Sequence, residues 1–120
     1  MRAIFVLCLL AVAILVASAG AHFGNAAEIA LDLAIRDWQV PEGMRTIKVQ
    51  EGDAVTLRLS ADRPMTLHLH GYDIEQRIGP DMVAEMAFMA IATGRFPLEI
   101  HSREQAESRG PIAYVEVYPR

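Results

Sequence analysis

The 120-residue chain has a single cysteine, Cys8, and it lies inside an apolar N-terminal run. It comes too early, and lacks the small preceding residues, for a lipid-attachment site. A domain beginning after that run has no thiol. It can make no disulfide even where export would permit one, so it is held together by its core, alone or aided by a bound metal. Basic clusters are also missing: the 11 Lys and Arg are scattered among 15 Asp and Glu, for a net charge of −4. That balance argues against nucleic acid and anionic membrane surfaces as partners. There is no phosphate-cradling glycine loop, nucleophile elbow or Ser-His-Asp spacing. Trp38, Tyr72, Tyr114 and Tyr118 form no catalytic constellation, and neither do Ser60 and Ser102. On these absences no enzymatic activity is expected. Internal repeats and low-complexity tracts are absent too.

What is present begins with "MRAIFVLCLLAVAILVASAGAHFG". Arg2 precedes about fifteen apolar residues, Ala3 to Ala17, followed by small residues. This is the pattern of a secretory signal peptide, and the run is shorter than the roughly 20 residues of a membrane span. The reading is a signal peptide over 1–21 and one domain over 22–120, exported to the periplasm or the cell exterior. An uncleaved membrane anchor is the alternative, and cleavage after Ala19 competes with cleavage after Ala21. If Ala21 is the cleavage point, His22 becomes N-terminal, where amine and ring nitrogen could chelate Cu(II). The remaining 99 residues suffice for one domain.

Strand alternation dominates that domain. "EIALDLAIR" (28–36) puts Ile29, Leu31, Leu33 and Ile35 on one face. "TIKVQ" (46–50) and "AVTLRLS" (54–60) alternate likewise, with "WQVPEGM" and "EGD" as connections. "MTLHLH" follows. The stretch "GYDIEQRIGPD" separates it from "MVAEMAFMAIA" (82–92), which is rich in helix formers. A strand is preferred there, because "TG" and then "RFPLEIH" (95–101) follow at hairpin spacing. "SREQAESRG" reads as a polar loop and "PIAYVEVYPR" as a closing strand. Six to eight short strands spaced by turns predict a single-domain all-β sandwich.

Three of the four histidines occupy two strand motifs. His68 and His70 stand two apart, as do Glu99 and His101, so each pair shares a strand face. Each pair also comes directly before a loop. If both strands run to one rim of the sandwich, three imidazoles and a carboxylate converge there. That set suits Cu(II), with Zn(II) as the other fit. The plain alternative is that both pairs are solvated polar surface. Asp73 and Glu75 lie close in sequence and could serve in place of Glu99, but turn chemistry and a solvated strand end are the preferred readings for them. Met65 shares a face with Leu67 and Leu69 and belongs to the core. Met82, Met86 and Met89 read as core or rim packing in preference to thioether ligands for Cu(I).

The segments "VQEGDAVTLRL", "LHLHGYDIE", "GRFPLEIH" and "VEVYP" resemble the small exported cupredoxin-like proteins with HxHGYD and GxFxxExH motifs, over roughly residues 42–119. The resemblance implies a Greek-key β-sandwich with copper, when present, held at one end. A blue-copper site takes a cysteine thiolate at the position of Ile100, so the resemblance implies no blue-copper electron transfer here. "HLHG" is also similar to the H-x-H-G motif of multicopper oxidases, with Glu99 standing where "GRFPLEIH" would carry a further histidine. A single domain lacks the partner half of such a cluster, and oxidase activity is not expected.

The resulting expectation is an exported copper-binding protein that buffers, stores or delivers copper. His68, His70 and His101 would be the ligands, with Glu99 a fourth ligand or a partner orienting an imidazole. Its partners would be the metal ion and a copper-handling protein. The alternative is a metal-free module of the same fold that binds a protein or small ligand, with Tyr72 and the "SREQAESRG" loop forming the contact.

Overall fold

In seven stretches of the domain apolar side chains recur at every second position, and each forms a strand; an eighth strand carries a glutamine at its middle inward position. The computed structural model describes residues 26–101 and 110–120. The stretch 1–21 expected to be a signal peptide, His22 and most of the "SREQAESRG" stretch lie outside the described residues. The strands are β1 (Glu28–Ile35), β2 (Thr46–Gln50), β3 (Ala54–Ala61), β4 (Met65–Leu69), β5 (Ile74–Ile78), β6 (Ala84–Met89), β7 (Gly94–His101) and β8 (Ala113–Tyr118). One turn of 3-10 helix, Glu42–Met44, precedes β2. Among the described residues no helix is long and apolar enough to cross a membrane.

The strands form two sheets, β1-β3-β6 and β2-β8-β7-β4-β5. β1 runs parallel to β3, and β2 parallel to β8; the other pairings are antiparallel. The chain passes repeatedly from one sheet to the other, between β1 and β2, β2 and β3, β3 and β4, β5 and β6, and β6 and β7. These crossings make the expected Greek-key sandwich. The core between the sheets is the inward set of the alternation: Leu33, Ile35, Val55, Leu57, Leu59, Leu67, Leu69, Met86, Leu98 and Val115 are each less than 2 % exposed.

Two local readings are corrected by the pairing. The segment 82–92 does form a strand, but β6 and β7 are not a hairpin. β6 pairs with β3 in one sheet, while β7 pairs with β4 and β8 in the other. A short "TG" link can join sheets as easily as neighbouring strands, because spacing alone does not specify hydrogen-bond partners. The second correction is β5, which the sequence reading passed over within "GYDIEQRIGPD". It is an edge strand whose outward residues Glu75 and Arg77 are exposed, with Ile78 buried.

Asp53 is the one buried charged group among the described residues. Its carboxylate accepts the amide N–H of Gln50 at 2.8 Å and of Ala27 at 3.1 Å, and it pairs with the Arg120 guanidinium. The start of β1, the β2–β3 turn and the residues after β8 are thereby tied together. The two backbone N–H groups, Gln50's foremost, and then the Arg120 charge hold this carboxyl below the ordinary carboxylate range.

Candidate metal centre

β4 and β7 are adjacent and antiparallel, with His68 opposite Glu99 and Thr66 opposite His101. Leu67, Leu69 and Leu98 turn into the core, and Ile100 packs against it. The alternate residues therefore turn outward onto the far face of the five-stranded sheet. His70 follows β4 by one residue, yet its amide still donates to the Pro97 carbonyl at 3.0 Å. This keeps it in register on the same face.

The pairing brings the three histidines together, though not at a shared rim. Antiparallel neighbours end at opposite sides of the sheet, so the ends of β4 and β7 cannot meet. The convergence is diagonal. His101 is two positions from the residue facing His68, and Glu99 is two positions from the residue facing His70, which is a reachable separation for long side chains. The ring centroids of His68 and His70 lie 4.1 Å apart, those of His68 and His101 4.9 Å, and those of His70 and His101 5.8 Å. One ring nitrogen from each of the three lies within 4.8 Å of the others.

A carboxylate stands beside each imidazole. Ionised carboxylates only accept hydrogen bonds, so the ring nitrogens donate. His68 Nε2 donates to Asp73 Oδ1 at 3.1 Å, and His70 Nε2 donates to Glu99 Oε2 at 3.0 Å. His101 makes longer approaches, with Nδ1 3.8 Å from Glu75 Oε1 and Nε2 4.0 Å from Glu99 Oε2. Glu99 thus stands between two histidines. Asp73 and Glu75, read from sequence as turn and strand-end chemistry, both lie against the histidines. The missed strand β5 explains this, since Glu75 is directly opposite His68 across the β4–β5 ladder.

The histidine face grades from covered to open. The side chain of His68 is 14 % exposed, that of His70 38 % and that of His101 46 %. His68 Nδ1 is buried and has no hydrogen-bond partner among the described residues. An orphaned ring nitrogen on one of three clustered imidazoles is a feature that a bound cation would satisfy. Nearby carboxylates add the negative charge that compensates a dication. The residues present therefore fit a copper or zinc ion, with imidazole donors and no thiolate.

The loop after His70 is fixed by packing. Gly71 has φ +86°, and a Cβ placed on it would come 2.3 Å from Phe96 Cδ1. Tyr72 packs on Phe88 and Phe96, with ring centroids 4.9 and 4.8 Å apart. Its hydroxyl donates to the Ala92 carbonyl at 2.9 Å, so the side chain closes the end of the sandwich. Met65 and Met86 are buried, whereas Met82 and Met89 are each about half exposed.

No family model matches the sequence, and no curated protein matches it. Solved structures do match. A blue copper oxidase from Nitrosomonas europaea superposes with a TM-score of 0.64 at 22% identity, over 78% of this chain and 39% of that one. The periplasmic domain of cytochrome oxidase subunit II from Bradyrhizobium japonicum gives 0.59 at 11% identity, over 75% of this chain and 83% of that one. A copper nitrite reductase from Nitrosomonas europaea gives 0.58 at 19% identity, over 80% and 42%. This chain therefore spans less than half the length of either enzyme. The expectation of no enzymatic activity is corrected by these matches, because two of the three proteins are enzymes. That expectation leaned on the missing nucleophile and the missing thiolate, and metal-centred chemistry needs neither. At these identities the likeness is one of fold, and the fold is cupredoxin-like.

Proposed function

We propose that this domain binds copper through His68, His70 and His101 and that it handles the metal by buffering, storing or delivering it. The observation that carries the reading is the convergence of one ring nitrogen from each histidine within 4.8 Å, with His68 Nδ1 buried and without a partner among the described residues. Nitrogen donors flanked by carboxylates favour Cu(II), and zinc fits the same donors. Glu99, held between His70 and His101, orients the imidazoles or completes the shell. His101 leaves one side of the site open to solvent, which suits ligand exchange with a protein partner better than a closed structural site would. The signal-type segment over 1–21 supports export as the setting.

The test is to load the mature domain with Cu(II), desalt it and record its electron paramagnetic resonance spectrum. One retained copper with nitrogen hyperfine structure and no intense blue absorption supports the reading. A protein that retains no copper, and none as Cu(I) under reducing conditions, refutes it. Replacing His70 and His101 together by Ala abolishes stoichiometric binding if these are the ligands. Unchanged affinity in that double variant refutes the ligand set.

A further inference from the structure

His68 differs from the other two histidines in having its two ring nitrogens in opposite situations. Nε2 lies 3.1 Å from Asp73 Oδ1, and Nδ1 is buried without a partner among the described residues. A carboxylate accepts and does not donate, so the proton of this contact sits on Nε2. In a neutral imidazole with its proton there, the lone pair is on Nδ1. That nitrogen belongs to the most covered of the three rings, which is 4.1 and 4.9 Å from its two neighbours by centroid. Asp73 itself is held in the β4–β5 turn at φ +53°. Asp is among the few residues that adopt this conformation readily, so the turn geometry delivers its carboxylate to the outward face.

We infer that Asp73 is a positioning residue that locks His68 in the Nε2–H tautomer and so makes Nδ1 its metal-ligating atom. The ligand half of this assignment rests on the copper-site reading above; the tautomer half stands without it. Carboxylate partners of ligating histidines fix ring orientation and raise ligand basicity, and their loss typically weakens metal affinity roughly 10- to 100-fold. Asp73 touches no metal in this scheme and acts only through His68.

The experiment uses 15N-labelled mature protein and reads imidazole nitrogen shifts by long-range 1H–15N correlation, first metal-free and then with Zn(II) as a diamagnetic probe. Two variants accompany the wild type. Asp73→Gly removes the carboxylate while tolerating the positive φ, and Asp73→Asn keeps an acceptor oxygen. The expected metal-free result is His68 as Nε2–H in wild type and Asp73→Asn, and a tautomer mixture in Asp73→Gly. On adding Zn(II), the coordination shift falls on His68 Nδ1, and Asp73→Gly binds at least tenfold more weakly than wild type. A metal-free Nδ1–H tautomer, an unchanged ring in Asp73→Gly, or a coordination shift on Nε2 each overturns the assignment. The expected tautomer with no coordination shift on any histidine overturns the copper-site reading and the ligand half with it.

Discussion

Gly71→Ala is the substitution whose cost can be worked most directly from the structure. Two penalties apply at once. The residue sits at φ +86°, and a left-handed backbone costs a non-glycine residue about 1–2 kcal/mol. The new Cβ would also lie 2.3 Å from Phe96 Cδ1 and 2.7 Å from Cε1, so the ring must move. Phe96 is packed against Tyr72, whose hydroxyl is tied to Ala92, and displacing a packed side chain costs about 1–3 kcal/mol. The sum is about 2–5 kcal/mol, a large share of the stability of an ordinary domain. For a domain of this size it lowers the melting temperature by roughly 8–40 °C. Far-UV circular dichroism measures it, with Phe96→Ala as the second arm of a double-mutant cycle. Phe96→Ala removes every obstructing atom beyond Cβ, so the clash should show as coupling of about 1 kcal/mol or more between the two sites. The φ penalty should survive in the double variant. A Gly71→Ala protein within about 0.5 kcal/mol of wild type, the range of ordinary surface changes, would refute both the turn conformation and the Phe96 contact.

Stoichiometric Cu(II) should raise the melting temperature by mass action, about 2.7 kcal/mol when free metal is a hundred times the dissociation constant. His101→Ala should lose most of that gain, because His68 and His70 stay adjacent in the unfolded chain while His101 joins them only across the folded sheet; equal shifts in the two proteins would count against the cross-strand site. Acid should expose the Asp53 clasp. Its carboxyl titrates below the ordinary value near 3.9, so its stabilisation is complete above that value and is lost as pH falls through the lower folded-state value. Asp53→Asn should therefore melt lower at neutral pH and show a shallower fall in melting temperature below about pH 4. Asp62, also held low by Arg63 and the Asp37 amide, leaves a residual slope, and parallel curves for the two proteins would refute the assignment. Leu67→Ala, at a fully buried position under the site, should cost about 2–5 kcal/mol by chemical denaturation.

Much of the sandwich was legible because alternation with period two is a local signal. Leu67 and Leu69, or Leu98 and Ile100, declare an inward face without reference to any neighbour, and they send His68, His70, Glu99 and His101 outward by the same count. Sheet membership is not local. Nothing in "MAIATGRF" tells whether β6 and β7 share a ladder, since their partners lie in β3, β4 and β8. β5 was obscured because its inward position 76 is a glutamine and its flanks carry Gly and Pro. The clue was the "HGYD" turn, which returns a chain directly onto β4. Missing that strand also hid the contacts of Asp73 and Glu75, which exist only once β5 lies beside β4.

The site itself depends on a quantity no motif contains, the register of β4 against β7. A one-residue slip would turn one strand's histidines into the core face, and core burial forbids it, because Leu67 and Leu69 of β4, or Leu98 of β7, would be expelled in exchange. A two-residue slip keeps every leucine inward and yet changes the diagonal that joins His68 to His101. Hydrophobic patterning does not oppose that slip. What opposes it is the set of fixed points at either end. Gly71 and Asp73 define the β4–β5 turn by their positive φ, Phe96 fills the space that Gly71 leaves, and the His70 amide is paired to Pro97. These features lie on the loop side of the histidines and select the register that assembles them. The conformationally costly residues beside the site are therefore part of how it is built. Relaxing them should loosen the histidine cluster before it unfolds the sandwich.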